Sequence, residues 1–254
     1  MQYLTRRFFV AVRLVLVVLA GAWGPTVATP QGSSAVPKEM SNEMSKGVSK
    51  VLRYAFPIAE TNFDPAQISD LYSRTVASAF FEAPLEFEFL ASPARMRPNT
   101  AQAMPEVSED FKVFTFRIKP GIFFADDPAF KGQKRELTAA DYVYALKRHY
   151  DPRWKSANLY ILENAKIVGL SELRKQLIAA KKPFDYDQEV EGLKTLDRYT
   201  FRIRLAEPNP RFLYNFTDGS FTGALAREVV EHYGDKVGEQ DRKSTRLNSS
   251  HTVI

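Results

Sequence analysis

Three histidines, His149, His232 and His251, and no cysteine make up all the imidazole and thiol chemistry of this 254-residue sequence. Without cysteine there is no disulfide framework, thiolate metal centre, cysteine nucleophile or lipid-modified N-terminal cysteine. The histidines are too scattered for a His-rich metal site, and His149 and His232 fall on helix faces that also carry apolar residues. Carboxylates cluster at Glu82, Glu86 and Glu88 and again at Asp126 and Asp127, the residue type a glycoside hydrolase uses as acid and base. Such clusters more often solvate loops and strand faces, so a secreted hydrolase stands only as an alternative reading and no catalytic residue is assigned. Neither G-x-G-x-x-G nor G-x-x-x-x-G-K-S/T occurs, and there is no G-x-S-x-G elbow, which argues against nucleotide hydrolysis and acyl transfer. No metal site and no cofactor is expected. Phe114, Phe116, Phe123 and Phe124 could line a pocket, but aromatics alternating along a strand belong more often to a core. The segment of most interest is Glu60-Thr61-Asn62, directly after a first strand, where an α/β protein tends to place a ligand-facing loop.

The elements that would hold these residues follow from hydrophobic periodicity. Val51 to Phe56 reads as a strand stopped by Pro57. Ile68, Leu71, Tyr72, Thr75, Val76, Ala79 and Phe80 recur at helical spacing, which predicts a helix of roughly four turns with one apolar face. Residues 85–110, interrupted by proline and acidic residues, read as short strands and loops. Phe114 to Ile118 alternates as a half-buried strand, Pro120-Gly121 turns the chain, and Ile122 to Phe124 returns. After a polar loop over Asp126–Arg135, Thr138 to Asp141 forms a capping box for a helix whose Tyr142, Ala145, Leu146 and His149 share a face, ended by Asp151-Pro152. A further helix is expected over Ser171–Ala180, a strand over Tyr199–Leu205 and a last helix over Ala224–Tyr233 with Leu225, Val229 and His232 on one stripe. Without a regular βαβ rhythm, the fold class is mixed α/β with mixed strand directions expected.

The composition, 44% hydrophobic and 13% aromatic, can build a packed core and excludes a disordered chain. The net charge of +5 is an effect of the two ends. Arg6 and Arg7, the apolar stretch Leu14–Ala22 and the small residues Thr26-Val27-Ala28 form an export signal, with residues 1–28 cleaved. The apolar run is too short, and too interrupted by Arg13, to span a hydrocarbon core of about 30 Å comfortably. Residues 29–50 read as a polar tether. At the other end, Asp241 to His251 resembles, residue for residue, the in-frame translation of a common sequencing adapter. Residues 241–254 are therefore read as non-biological, with the protein expected to be cut off at about Gln240. Once Arg6, Arg7, Arg13, Arg242, Lys243, Arg246 and Asp241 are set aside, basic and acidic residues balance, and no nucleic-acid partner is expected.

Several segments, taken in order, resemble the peptide and oligopeptide class of bacterial ABC-transporter solute-binding proteins, family 5. They are Phe63-Asp64-Pro65, Phe111 to Lys119, Leu137 to Tyr144 with Lys147-Arg148 and Asp151-Pro152, and Val190 to Phe201 continuing through Leu205 to Pro208. Where the family usually reads D-G-x-P, Asp126 to Gly132 is longer, the mark of a divergent subgroup. The resemblance implies a periplasmic-binding-protein-like (type II) α/β fold of two lobes joined by a hinge, with an extra small α/β domain, present as an N-terminal fragment. Residues 51–69 would start lobe I, 70–214 would form the extra domain, and 215–240 would return into lobe I. It also implies a periplasmic, monomeric protein that is not an enzyme, whose partners are a small solute of the peptide class and a cognate ABC permease and ATPase complex. In peptide-binding relatives the backbone and an acidic residue after the first strand meet the ligand, which maps onto Glu60, Thr61 and Asn62, with Phe63 beside them. An exported binding domain with a signalling or chaperone role is the remaining alternative.

Overall fold

The computed structural model describes residues 55–234 and 247–248. The expected signal, the tether, the strand residues Val51–Tyr54 and all of the expected adapter tail except Leu247 and Asn248 fall outside the described residues; Ala55 and Phe56 are not part of a strand. A four-stranded sheet organises the rest, in the order β3 (Glu106–Val107), β4 (Val113–Arg117), β7 (Thr200–Arg204), β6 (Leu193–Asp197). Phe114 pairs with Ile203 and Phe116 with Phe201. Alternation puts these four side chains, with Ile118 and Leu205, on one face, each no more than 1% exposed. Residues of the other face meet water and pair by charge, Arg117 with Glu106 and Arg204 with Glu191. Every strand pairing among the described residues is antiparallel, which corrects the expectation of mixed directions. At the β6 edge the physical reason is local: β6 and β7 are joined by the short turn Asp197-Arg198-Tyr199, where Asp197 accepts the Tyr199 N–H at 2.9 Å.

Helix α2 (Ala139–Tyr150) covers the apolar face. Its start is the expected capping box: Asp141 Oδ2 accepts the Thr138 backbone N–H at 2.7 Å and its hydroxyl at 2.9 Å. Almost every residue of α2 is buried, not one stripe alone, because chain packs on it from several sides. Tyr142 stacks on Phe201 with 5.6 Å between rings, and Phe212 and Phe216, on a 3₁₀ turn over Phe212–Phe216, pack on Phe114 and Phe116 at 4.9 and 4.8 Å. Phe114, Phe116 and Phe124 are therefore core residues.

Several expectations are corrected. The first helix, α1, runs only over Leu71–Ala77, since Asp70 is its N-cap, accepting the Ser73 N–H at 2.8 Å, and this fixes the start below Ile68. Ile68 is buried in the preceding turn while Leu71 is 69% exposed, so the two do not share a face. The segment Ile122–Phe124 does not return along β4. Its strand β5 (Phe123–Phe124) pairs with β8 (Leu247–Asn248), and Phe124 N donates to Arg135 O while Leu137 N donates to Ile122 O, closing the polar loop into a ladder. Within that loop Asp127 is buried as the cap of a 3₁₀ turn over Pro128–Phe130. The last helix occupies Arg227–His232 and leaves His232 exposed, with Val229 and Val230 as its buried pair. Strands β1 (Leu85–Phe87) and β2 (Met96–Pro98) form a separate hairpin. Helix α4 (Leu170–Ala180) matches its expectation to within one residue; α3 (Leu159–Ala165) and β6 were not anticipated as elements. Two short helices, α5 (Gly219–Thr222) and α6 (Arg227–His232), complete the described fold. Beside the main core, Phe63, Ile68, Ala77, Phe81, Leu225 and Val230 gather into a second cluster against Tyr144 and Ala145 of α2.

Candidate functional site

The loop before α1 is shaped by hydroxyl and carboxylate groups at the helix start. Ser73 Oγ accepts the Thr61 N–H at 2.9 Å and the Asn62 N–H at 3.3 Å, and the Thr61 hydroxyl donates to Asp70 at 2.5 Å. Burial alone would raise the Asp70 carboxyl; the hydrogen bonds from Ser73 and Thr61 outweigh it and bring it down to about 2. Asn62 Oδ1 accepts the Asp64 N–H at 2.7 Å, an Asx turn, and its amide donates to Gln67 at 3.1 Å. Thr61 is exposed and Glu60 and Asn62 half-buried. Phe63 points inward, 3% exposed and edge-on to Phe80 at 5.8 Å, so its side chain anchors the loop.

Behind the loop is a pair whose partners the sequence reading did not connect. Asp64 meets Arg148 of α2 at 2.5 Å, with side chains 1% and 0% exposed. Both residues lie in segments that carried the family resemblance, Phe63-Asp64-Pro65 and Lys147-Arg148, but no local pattern links positions so far apart.

His149, the neighbour of Arg148, is buried. Its Nε2–H donates to the Phe221 carbonyl at 2.9 Å, which leaves Nδ1 to accept from the Ser156 hydroxyl at 2.8 Å. Burial pushes its pKa down to about 4 against the 6.5 of a free imidazole, so it is neutral at neutral pH, with both ring nitrogens engaged in hydrogen bonds. The folded value is below the unfolded one, so the stabilisation is complete above pH 6.5 and is lost as pH falls towards 4, by about 3 kcal/mol. His149→Gln should therefore flatten the pH dependence of the urea midpoint between pH 6.5 and 4 relative to wild type; parallel curves would contradict this assignment.

The acidic clusters do not converge. Glu86 pairs with Arg97 at 2.9 Å on the β1–β2 hairpin, Asp126 is exposed, and Asp127 caps its 3₁₀ turn. Among the described residues no group of His, Asp and Glu is arranged to hold a metal ion. A groove of about 460 Å³ along α2 is lined by charged residues, among them Arg135, which binds Asp141 at 2.7 Å and Glu228 at 2.8 Å. Lys147 donates into the same groove, to the carbonyls of Tyr186 and Gln188 at 2.7 and 2.8 Å, and burial lowers its pKa.

Residues 95–244 match the family described as bacterial extracellular solute-binding proteins, family 5 Middle, and the chain belongs to this family. It is a family of solute binders, not of enzymes. Among curated relatives, the periplasmic oligopeptide-binding protein OppA of Salmonella typhimurium is 29% identical over 175 residues, covering 69% of this chain and 28% of the relative. The dipeptide-binding protein of Lactococcus lactis is 26% identical over 198 residues, covering 77% and 32%. The crystal structure of Haemophilus influenzae OppA in complex with the peptide RPPGFSPFR superposes with a TM-score of 0.55 at 26% identity, over 69% of this chain and 30% of that one. The chain thus spans about a third of the length of these relatives, and its fold is a portion of the type II two-lobe architecture.

Proposed function

We propose that this chain is part of the periplasmic solute-binding component of an ABC importer, one that captures peptides by lobe closure and delivers them to a permease and ATPase complex. The observation that carries this reading is the match, over 69% of the chain, to an oligopeptide-binding protein crystallised with a peptide. Residues 1–28 would direct export. Residues 51–69 and 215–240 would belong to lobe I, and 70–214 to the extra domain.

The mechanism is binding without bond cleavage. A ligand in the open cleft makes contacts with both lobes that coexist only when the cleft is shut, so it shifts the hinge equilibrium by its differential affinity for the closed state. The Glu60–Phe63 loop would supply lobe I's share, with main-chain groups taking an extended peptide much as a sheet edge does. The protein encoded by the full reading frame that contains this chain, titrated calorimetrically with di- to octapeptides, nickel complexes and oligosaccharides, should bind peptides saturably and leave them uncleaved. Binding only to a non-peptide solute, or turnover of any of them, would overturn the reading.

A further inference from the structure

The loop assigned to the ligand does not hold its own shape. Asp64, the residue after it, is its organising centre: its N–H donates to Asn62 Oδ1 at 2.7 Å, its carbonyl accepts from Gln67 N and Ile68 N at 2.8 and 2.9 Å, and Oδ1 accepts the Ala66 N–H at 3.0 Å. Oδ2 of the same carboxylate receives Arg148 at 2.5 Å. Arg148 is fixed in turn by aromatic faces, its guanidinium carbon 4.7 Å from the Trp154 ring centroid and 6.0 Å from that of Tyr144. A second strap lies nearby: Asn158 donates to the Ile68 carbonyl at 3.3 Å and accepts from Arg74 at 3.2 Å. The backbone of Asp64 thus carries most of the turn, while its carboxylate takes the Ala66 N–H and the Gln67 amide and is tied to a cation 84 positions away, on a helix belonging to the segment proposed as the extra domain.

We propose that Arg148 is a positioning residue for the ligand: through Asp64 it holds the Asn62–Ile68 turn, and with it the Asn62 side chain, in the conformation presented to a bound peptide. The inference rests on the assignment of Glu60–Phe63 as ligand-facing. It gives the extra domain a part in affinity without any contact with the ligand, because preorganising a loop removes an ordering cost that binding would otherwise meet. A planar guanidinium held between rings suits this better than a lysine, whose flexible point charge fixes neither direction nor stacking.

Amide hydrogen exchange on the 254-residue chain without ligand separates local positioning from general stability. In Asp64→Asn and in Arg148→Lys, the amides of Ala66, Gln67 and Ile68 should exchange faster by about tenfold or more, while those of Phe116, Phe201 and Ile203 in the sheet keep their wild-type rates. Arg148→Lys, which keeps the charge, should be the milder of the two. Unchanged loop rates would overturn the proposal, as would equal acceleration of loop and sheet, including unfolding of both variants. On the full-frame protein, Arg148→Lys should weaken peptide affinity by about tenfold; wild-type affinity in this variant would also overturn it. If the wild-type protein binds no peptide while loop exchange responds as described, the peptide reading fails and the control of loop shape by Arg148 stands.

Discussion

Phe201→Ala is expected to lower the free energy of unfolding by about 3–5 kcal/mol, seen as a lower urea midpoint at unchanged slope. Phe201 is fully buried on β7, its ring parallel to that of Phe116 at 4.7 Å and within 5.6 Å of Tyr142 on α2. Truncation removes the contact that joins two central strands to the helix covering them, and the rings around it are held by their own backbones and cannot fill the space. Leu196→Ala, on the adjacent strand β6 where the side chain is 47% exposed, should change the midpoint little, within about 0.5 kcal/mol. Equal effects from the two substitutions would mean that the aromatic layer is not the principal core.

Gly219→Ala should be nearly as damaging for the opposite reason. A Cβ on Gly219 would lie 1.9 Å from the Phe81 carbonyl oxygen and 2.6 Å from its carbon. Both are backbone atoms, so relief requires α5 to move away from the segment after α1, and a loss of about 3 kcal/mol, at the upper end for overpacking, is expected. The same displacement would disturb the hydrogen bond from Ala224 N to Glu82 O and the packing of Leu225 against Phe81. Residues near the two proposed ends of lobe I would thus be forced apart. A melting temperature for Gly219→Ala equal to that of wild type would show that this close approach does not exist in solution.

Those parts of the fold that local sequence determines were legible. The alternation of Phe114–Ile118 and Tyr199–Leu205 reveals a buried face because each strand is covered on one side only. The Thr138–Asp141 box marks the start of α2 because both partners lie within one turn. Where two local rules competed, the reading went wrong. Ile68 and Leu71 sit at helical spacing, but the Asp70 cap starts α1 between them, and one becomes core while the other faces solvent. Strand β6 was missed because only Leu193 at its first position is buried, which leaves Leu196 exposed and no alternation to detect. His232 was placed on an apolar stripe with Leu225, although Leu225 precedes the helix and contributes no stripe to it.

The candidate site was legible as a place and not as a structure. The position of Glu60-Thr61-Asn62, directly after the expected first strand and next to the family segment Phe63-Asp64-Pro65, pointed to the loop. What shapes it was beyond sequence patterning: Ser73 receives two loop amides across a helix start, and Arg148 reaches Asp64 from α2. Pairings of that kind are set by tertiary packing, and in a single sequence a buried arginine at a helical position resembles any solvated one.

The most direct test of peptide capture at this loop is photo-cross-linking of the full-frame protein with an oligopeptide that carries a benzoylphenylalanine, followed by mass-spectrometric mapping of the adducts. Adducts on Glu60–Phe63, suppressed by excess unlabelled peptide, are the predicted result. Competable adducts confined to the charged groove along α2, on residues such as Lys147, Tyr186 and Glu231, would place the peptide away from this loop and contradict the account.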